Sequence, residues 1–150
     1  MPQSLVKNYI HIAFSTKYRE EILRKEDRNE IFSYMAGILN NLNCTPIIVG
    51  GVSDHVHVLC LLEKTLSVSV LLDKLKANSS KWIKSLGQHY INFAWQRGYG
   101  SFSVSQSKVD VVRNYIANQE RHHGQETFKE EFINLLEKHE IEYDEQYLWD

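Results

Sequence analysis

Asp54-His55-Val56-His57-Val58-Leu59 is the stretch on which the fold turns. Valine and leucine alternating with histidine is strand chemistry: successive side chains point to opposite faces, so His55 and His57 share one face while Val56 and Val58 anchor the other. The strand is expected to run from His55 to Leu62. Just upstream, Cys44 to Val52 reads as a second strand ending in Gly50-Gly51, a turn signal, so the two should form a hairpin. Residues 5–16 read as an earlier strand, with Val6, Ile10, Ile12 and Phe14 as its apolar members. Between them, Ile31, Phe32, Met35, Ile38, Leu39 and Leu42 follow helical spacing over residues 25–42.

Downstream, Ser67 is a natural N-cap for a helix over residues 68–86, which Gly87 should end. Ser101 to Ser105 alternates as a short fourth strand. Ser107 is expected to cap a helix over 108–122, and Thr127 one over 128–139 with Phe128, Phe132, Leu135 and Leu136 inward. The order β-α-β-β-α-β-α-α predicts an α+β, ferredoxin-like (RRM-like) antiparallel sheet of about four strands, with helices on one face and two C-terminal helices added.

The chain has 150 residues, which suits one domain over 1–150. Its net charge of -2 hides an asymmetry: residues 1–119 hold 14 Lys+Arg against 9 Asp+Glu, residues 120–150 hold 3 against 10. A locally basic body is compatible with an anionic partner. The acidic tail reads as a solvated helix face. No run is long and apolar enough to span a bilayer, and the first residues lack the apolar core of a signal peptide. Cys44 and Cys60 form no CxxC pair and read as buried free thiols. A cytoplasmic protein with no membrane partner is the expectation.

The candidate chemistry lies in a joint pattern. His55 and His57 offer two nitrogen ligands on one rigid edge. Tyr115 and Gln119, four residues apart on a helix, share a face and offer a phenol and an amide oxygen. Two imidazoles, an oxygen and a phenol suggest metal-assisted attack on a phosphodiester. A structural zinc site would need four ligands, and no matching cysteine spacing exists. Two other readings fit the same residues: a nucleic-acid-binding module without catalysis, and a small zinc hydrolase unrelated to DNA.

The ordered set resembles the single-tyrosine HUH transposases, the IS200-like TnpA type of small insertion sequences and their repeat-associated relatives. His55-Val56-His57 is similar to the family's histidine-hydrophobic-histidine motif. Tyr115 matches its catalytic tyrosine, and Gln119 its third metal ligand. Phe14-Ser15-Thr16-Lys17-Tyr18-Arg19, Trp95-Gln96-Arg97-Gly98-Tyr99-Gly100-Ser101-Phe102-Ser103-Val104-Ser105 and Asn118-Gln119-Glu120-Arg121-His122-His123 also look like the family. The resemblance implies a transposase that cleaves and rejoins single-stranded DNA through a covalent 5′-phosphotyrosine, with Mg2+ or Mn2+ and no organic cofactor. It implies a homodimer acting on DNA with hairpin ends, or a domesticated relative that only binds hairpins. Lys17, Arg19, Lys74, Lys76, Lys81, Lys84 and Arg97 are the DNA-contact candidates under it. His122 and His123 would support the ligands by hydrogen bonding.

Overall fold

A computed structural model describes residues 2–149, apart from the side chain of His123. Four strands, β1 (Asn8–Ser15), β2 (Pro46–Gly51), β3 (His55–Leu62) and β4 (Gly100–Val104), form one antiparallel sheet in the order β2-β3-β1-β4. This is the expected α+β arrangement. Helices α1 (Lys25–Asn41) and α2 (Val68–Lys84) lie between β1 and β2 and between β3 and β4. The expected Ser67 cap is present: its side chain accepts the Val70 N–H.

Strand alternation divides the sheet into two unlike faces. Ile10, Ile12 and Phe14 of β1 and Val56, Val58 and Cys60 of β3 point to one side. There they join Met35 and Leu39 of α1 and Leu71, Leu72 and Leu75 of α2 in the main core. Burying such side chains contributes about 1.5–3 kcal/mol each. The other side carries Ala13 and Phe102 with the histidines His11, His55 and His57. Phe128, Phe132 and Leu136 cover it from a helix over Phe128–Lys138. The C-terminal helices therefore close the second face of the sheet.

Those helices differ from the expected pair. The stretch expected as one helix over 108–122 is split into α3 (Val109–Ala117) and α4 (Gln119–His123), separated by Asn118. Asn118 has φ -103 and ψ 26, and its side chain turns back to the Asn114 carbonyl, which competes with continued helix. Ser107 does not cap α3: it lies in a short 3-10 turn, and Lys108 precedes the helix without a side-chain cap. Thr127 does cap α5 (Phe128–Lys138), in a reciprocal capping box with Glu130. A four-residue helix, α6 (Glu145–Leu148), follows. Among the described residues no helix is long and apolar enough to cross a membrane.

Small residues next to β3 let α3 approach. His57 pairs with Ala13 on one side and Gly50 on the other. A Cβ on Gly50 would stand 3.0 Å from Ile116 Cγ2 of α3. Gly51 is tighter still, since its Cβ would lie 2.2 Å from the His55 carbonyl oxygen in the turn that leads into β3. Gly51→Ala is expected to destabilise the protein by about 3 kcal/mol or more through that backbone clash, whereas Gly37→Ala, with nothing within 4 Å of the added carbon, is expected to be neutral or stabilising. Thermal melts of the two variants check this.

Candidate metal centre and tyrosine

Register sets the first two donors. His55 and His57 sit two apart on β3, 1% and 0% exposed, with both Nε2 atoms on the second face of the sheet. Each is held from behind through Nδ1. Asp54 Oδ1 lies 2.6 Å from His55 Nδ1, and His11 Nε2 lies 2.8 Å from His57 Nδ1. Orienting an imidazole through its far nitrogen is how proteins aim the near one at an ion.

A carboxylate from α5 meets both rings. Glu131 Oε1 is 3.2 Å from His55 Nε2 and 3.2 Å from His57 Nε2. Gln119, at the start of α4, places Oε1 2.8 Å from His55 Nε2 and donates its amide to Glu131 Oε2 at 3.0 Å. Glu131 Oε2 also accepts the hydroxyl of Tyr115. The Tyr115 ring centre lies 5.7 Å from that of His57. The structure thus brings His55, His57, Tyr115 and Gln119 together within one chain, although Tyr115 and Gln119 belong to separate helices.

Glu131 corrects the reading of the acidic tail as a solvated face: it is 3% exposed. Its position was available in the sequence. Phe128, Glu131, Phe132 and Leu135 form one helical stripe, and a carboxylate inside an apolar stripe needs a partner across the interface. His11 was also missed as a site residue. Its relation to His57 comes from the β1–β3 register, which places Ala13 opposite His57.

The electrostatics follow from burial and pairing. Burial disfavours the charged form of His55, but Asp54 and Glu131 outweigh it and hold its pKa up at about 9. His57 is pushed down by burial, with Glu131 opposing. Burial, then the neighbouring His57, takes His11 down to about 3. Burial works against the Glu131 carboxylate, yet hydrogen bonds from His55 and His57 drop it well below the carboxylate range. Burial and the bond to Glu131 raise the Tyr115 phenol above its ordinary value. A carboxylate can only accept, so neutral His57 donates from Nε2 to Glu131 and accepts at Nδ1 from His11.

These donors fit a divalent cation. His55 Nε2, His57 Nε2 and a Glu131 oxygen all lie within 4.8 Å of one another. Ligands about 2.1 Å from one ion stand about 3 Å apart when adjacent, close to the observed separations. Nitrogen with carboxylate and amide oxygen is a mixed set that suits first-row divalent ions. Both Nδ1 atoms have groups that can accept a proton's hydrogen bond, so both Nε2 lone pairs can turn to an ion.

The other expected residues lie elsewhere. The His122 ring packs 4.8 Å from that of Tyr115, and the His123 side chain lies outside the described residues. Lys74, Lys81 and Lys84 are exposed on α2, which packs on the opposite face of the sheet. Lys76 Nζ holds the carbonyls of Gln96, Arg97 and Gly98 at 2.9, 3.1 and 2.6 Å, so its ammonium braces that loop. Lys17 lies over the Tyr18 ring and Arg19 over Trp149.

The family model described as "Transposase IS200 like" matches residues 4–119. The chain belongs to the IS200-like transposase family. Membership of this family makes it a transposase, a class of enzyme that cuts DNA. In fold it is similar to a crystal structure assigned as a transposase from Deinococcus radiodurans R1, at 21% identity and a TM-score of 0.62, covering 79% of this chain and 98% of that one. It is also similar to a REP-associated tyrosine transposase bound to a REP hairpin, at 10% identity and a TM-score of 0.55, covering 83% and 72%. No curated protein matches. Both structural likenesses concern the fold, and the matched family region ends at Gln119, before Glu131.

The buried histidines give this transposase a signed pH dependence without metal. Unfolded histidines titrate near pH ~6.5. Between that point and about 9, the native state holds a proton on His55 that the unfolded chain has lost, so stability falls as pH rises. Below it, the unfolded chain binds protons that native His11 and His57 refuse, so stability falls as pH drops. Melts in EDTA should therefore peak near pH ~6.5, with a slope of about 1.4 kcal/mol per pH unit per proton. His55→Gln should flatten the alkaline limb.

Proposed function

We propose that this transposase cuts and rejoins single-stranded DNA, with Tyr115 as nucleophile and a divalent cation, Mg2+ or Mn2+, held by His55, His57, Gln119 and Glu131. The observation that carries this reading is the shared carboxylate. One oxygen of Glu131 contacts both imidazoles, and the other accepts the Tyr115 hydroxyl. Cation donors and nucleophile are thereby tied to one side chain.

Each group has a part in the step. When bound, the cation polarises a non-bridging phosphate oxygen, an effect worth several kcal/mol. Tyr115 Oη attacks phosphorus, a 5′-phosphotyrosine bond forms, and the bond to the 3′-oxygen breaks with the electron pair leaving on that oxygen. Glu131 orients the phenol through the existing hydrogen bond, the phenol proton passes to solvent as the new bond forms, and the departing 3′-oxygen is protonated from solvent. Reversal by a 3′-hydroxyl rejoins a strand, because the covalent link conserves the bond energy. Asp54 and His11 fix the imidazoles, so the donors need little rearrangement at the moment of reaction.

Residues 1–150 act as one catalytic unit in this reading, since both hydrophobic clusters share one sheet. Tyr115 serves the histidine pair of its own chain, to which it is already joined through Glu131. Two copies as a homodimer would supply one cut for each end of a DNA element. Hairpin-ended single strands are the proposed substrate, and the cytoplasm the proposed setting.

Incubation with single-stranded element ends and Mn2+ should yield a covalent protein–DNA adduct on a denaturing gel. Tyr115→Phe should abolish it, and an adduct that persists in this variant would reject Tyr115 as the nucleophile. Glu131→Gln should slow adduct formation by about 10- to 100-fold, and a rate equal to or above wild type would show instead that Glu131 obstructs the site.

A further inference from the structure

The histidine pair is sealed between the sheet and the C-terminal helices, yet Tyr115 and Glu131 also face a cavity of about 710 Å³ between β4, α3 and α5. Its floor is His11, Tyr115 and Glu131, all buried or half-buried. Val104, Val111, Val112 and Leu135 form apolar walls. Lys108, Lys138 and His139 stand exposed around the rim. We propose that this cavity is the seat for an unpaired nucleotide of the DNA strand beside the bond to be cut, with Lys108 and Lys138 meeting its phosphates. The proposal rests on the Tyr115 reading above and adds the route by which the strand reaches the hydroxyl.

Three features select this occupant. The volume falls in the range that holds a small organic group such as one nucleotide. Apolar walls accept the face of a base, while β4 is the outer strand of the sheet and leaves the polar edge of Ser103 and Ser105 beside the cavity. Charge is ordered with depth. The carboxylates Glu131 and Glu126 line the cavity together with His11, and the lysines stand at its mouth, where a backbone passing in and out would run. A duplex offers a base to such a recess only by unpairing and flipping it out, at a cost of a few kcal/mol, so a single strand is the favoured occupant.

The test uses the full chain and a labelled mixed-sequence single strand, with the same sequence as duplex for comparison. Val111, 60% exposed on the wall, can be enlarged with little risk to the core. Val111→Trp should fill the cavity and weaken single-strand binding, read by fluorescence anisotropy in the Tyr115→Phe background, by at least about 10-fold. Mn2+ affinity and the melting temperature should stay at wild-type values. Lys108→Glu/Lys138→Glu should weaken binding and lower its salt dependence by about two phosphate contacts. Lys64→Glu, in the turn after β3, serves as the surface control. Single-strand binding at wild-type strength in both cavity variants would overturn the proposal, as would duplex binding that matches single-strand binding. Because binding is read without the nucleophile, a failure of adduct formation in the wild type would remove the Tyr115 reading while leaving the cavity result to stand or fall separately.

Discussion

A carboxylate buried between a sheet and two helices organises this molecule. An unpaired charge there would cost several kcal/mol, and Glu131 avoids that by serving groups from three elements. His55 and His57 come from β3, Tyr115 from α3 and Gln119 from α4. Their positions are therefore linked: α5 cannot shift without breaking the contact to the tyrosine helix and to the histidine strand together. Before an ion binds, the proton on His55 offsets the charge of the Glu131 carboxylate it contacts.

The sheet supplies what the cluster needs by dividing its labour between faces. Even-numbered positions of β1 and β3 build the main core with α1 and α2, so the odd-numbered positions are free to hold chemistry. Gly50 on one side of His57 keeps the second face low enough for α3 to lie against it, and Ala13 on the other side packs beneath Phe128 and Phe132 of α5. Phe128 stacks on the His55 ring at 4.5 Å, so the same helix that brings Glu131 also walls the donors from water. Low polarity around the cluster strengthens each interaction within it.

Much of this was legible in the chain. Alternation sets the face shared by His55 and His57, and the four strands and two long helices lie near where periodicity places them, except that β1 begins at Asn8 and leaves Val6, expected inside the strand, exposed before it. What escaped were features that depend on contacts between distant elements. The break at Asn118 comes from a side chain bonding its own helix, which competes with a propensity that otherwise favours continuity. Glu131 is hidden in the net charge of residues 120–150, which carries no information on the helical face each acid occupies. His11 could be assigned only once the β1–β3 register was known. Lys76 shows the converse: a lysine in a basic stretch turned out to brace a loop through three carbonyls.

In the proposed reaction one cation lies among His55, His57, Gln119 and Glu131, beside the Tyr115 hydroxyl. Anomalous diffraction from crystals grown with Mn2+ would locate that cation. A single peak should lie within bonding distance of Nε2 of both histidines and of an oxygen of Glu131. A peak bound elsewhere on the chain, or none at this cluster under saturating Mn2+, would contradict that placement.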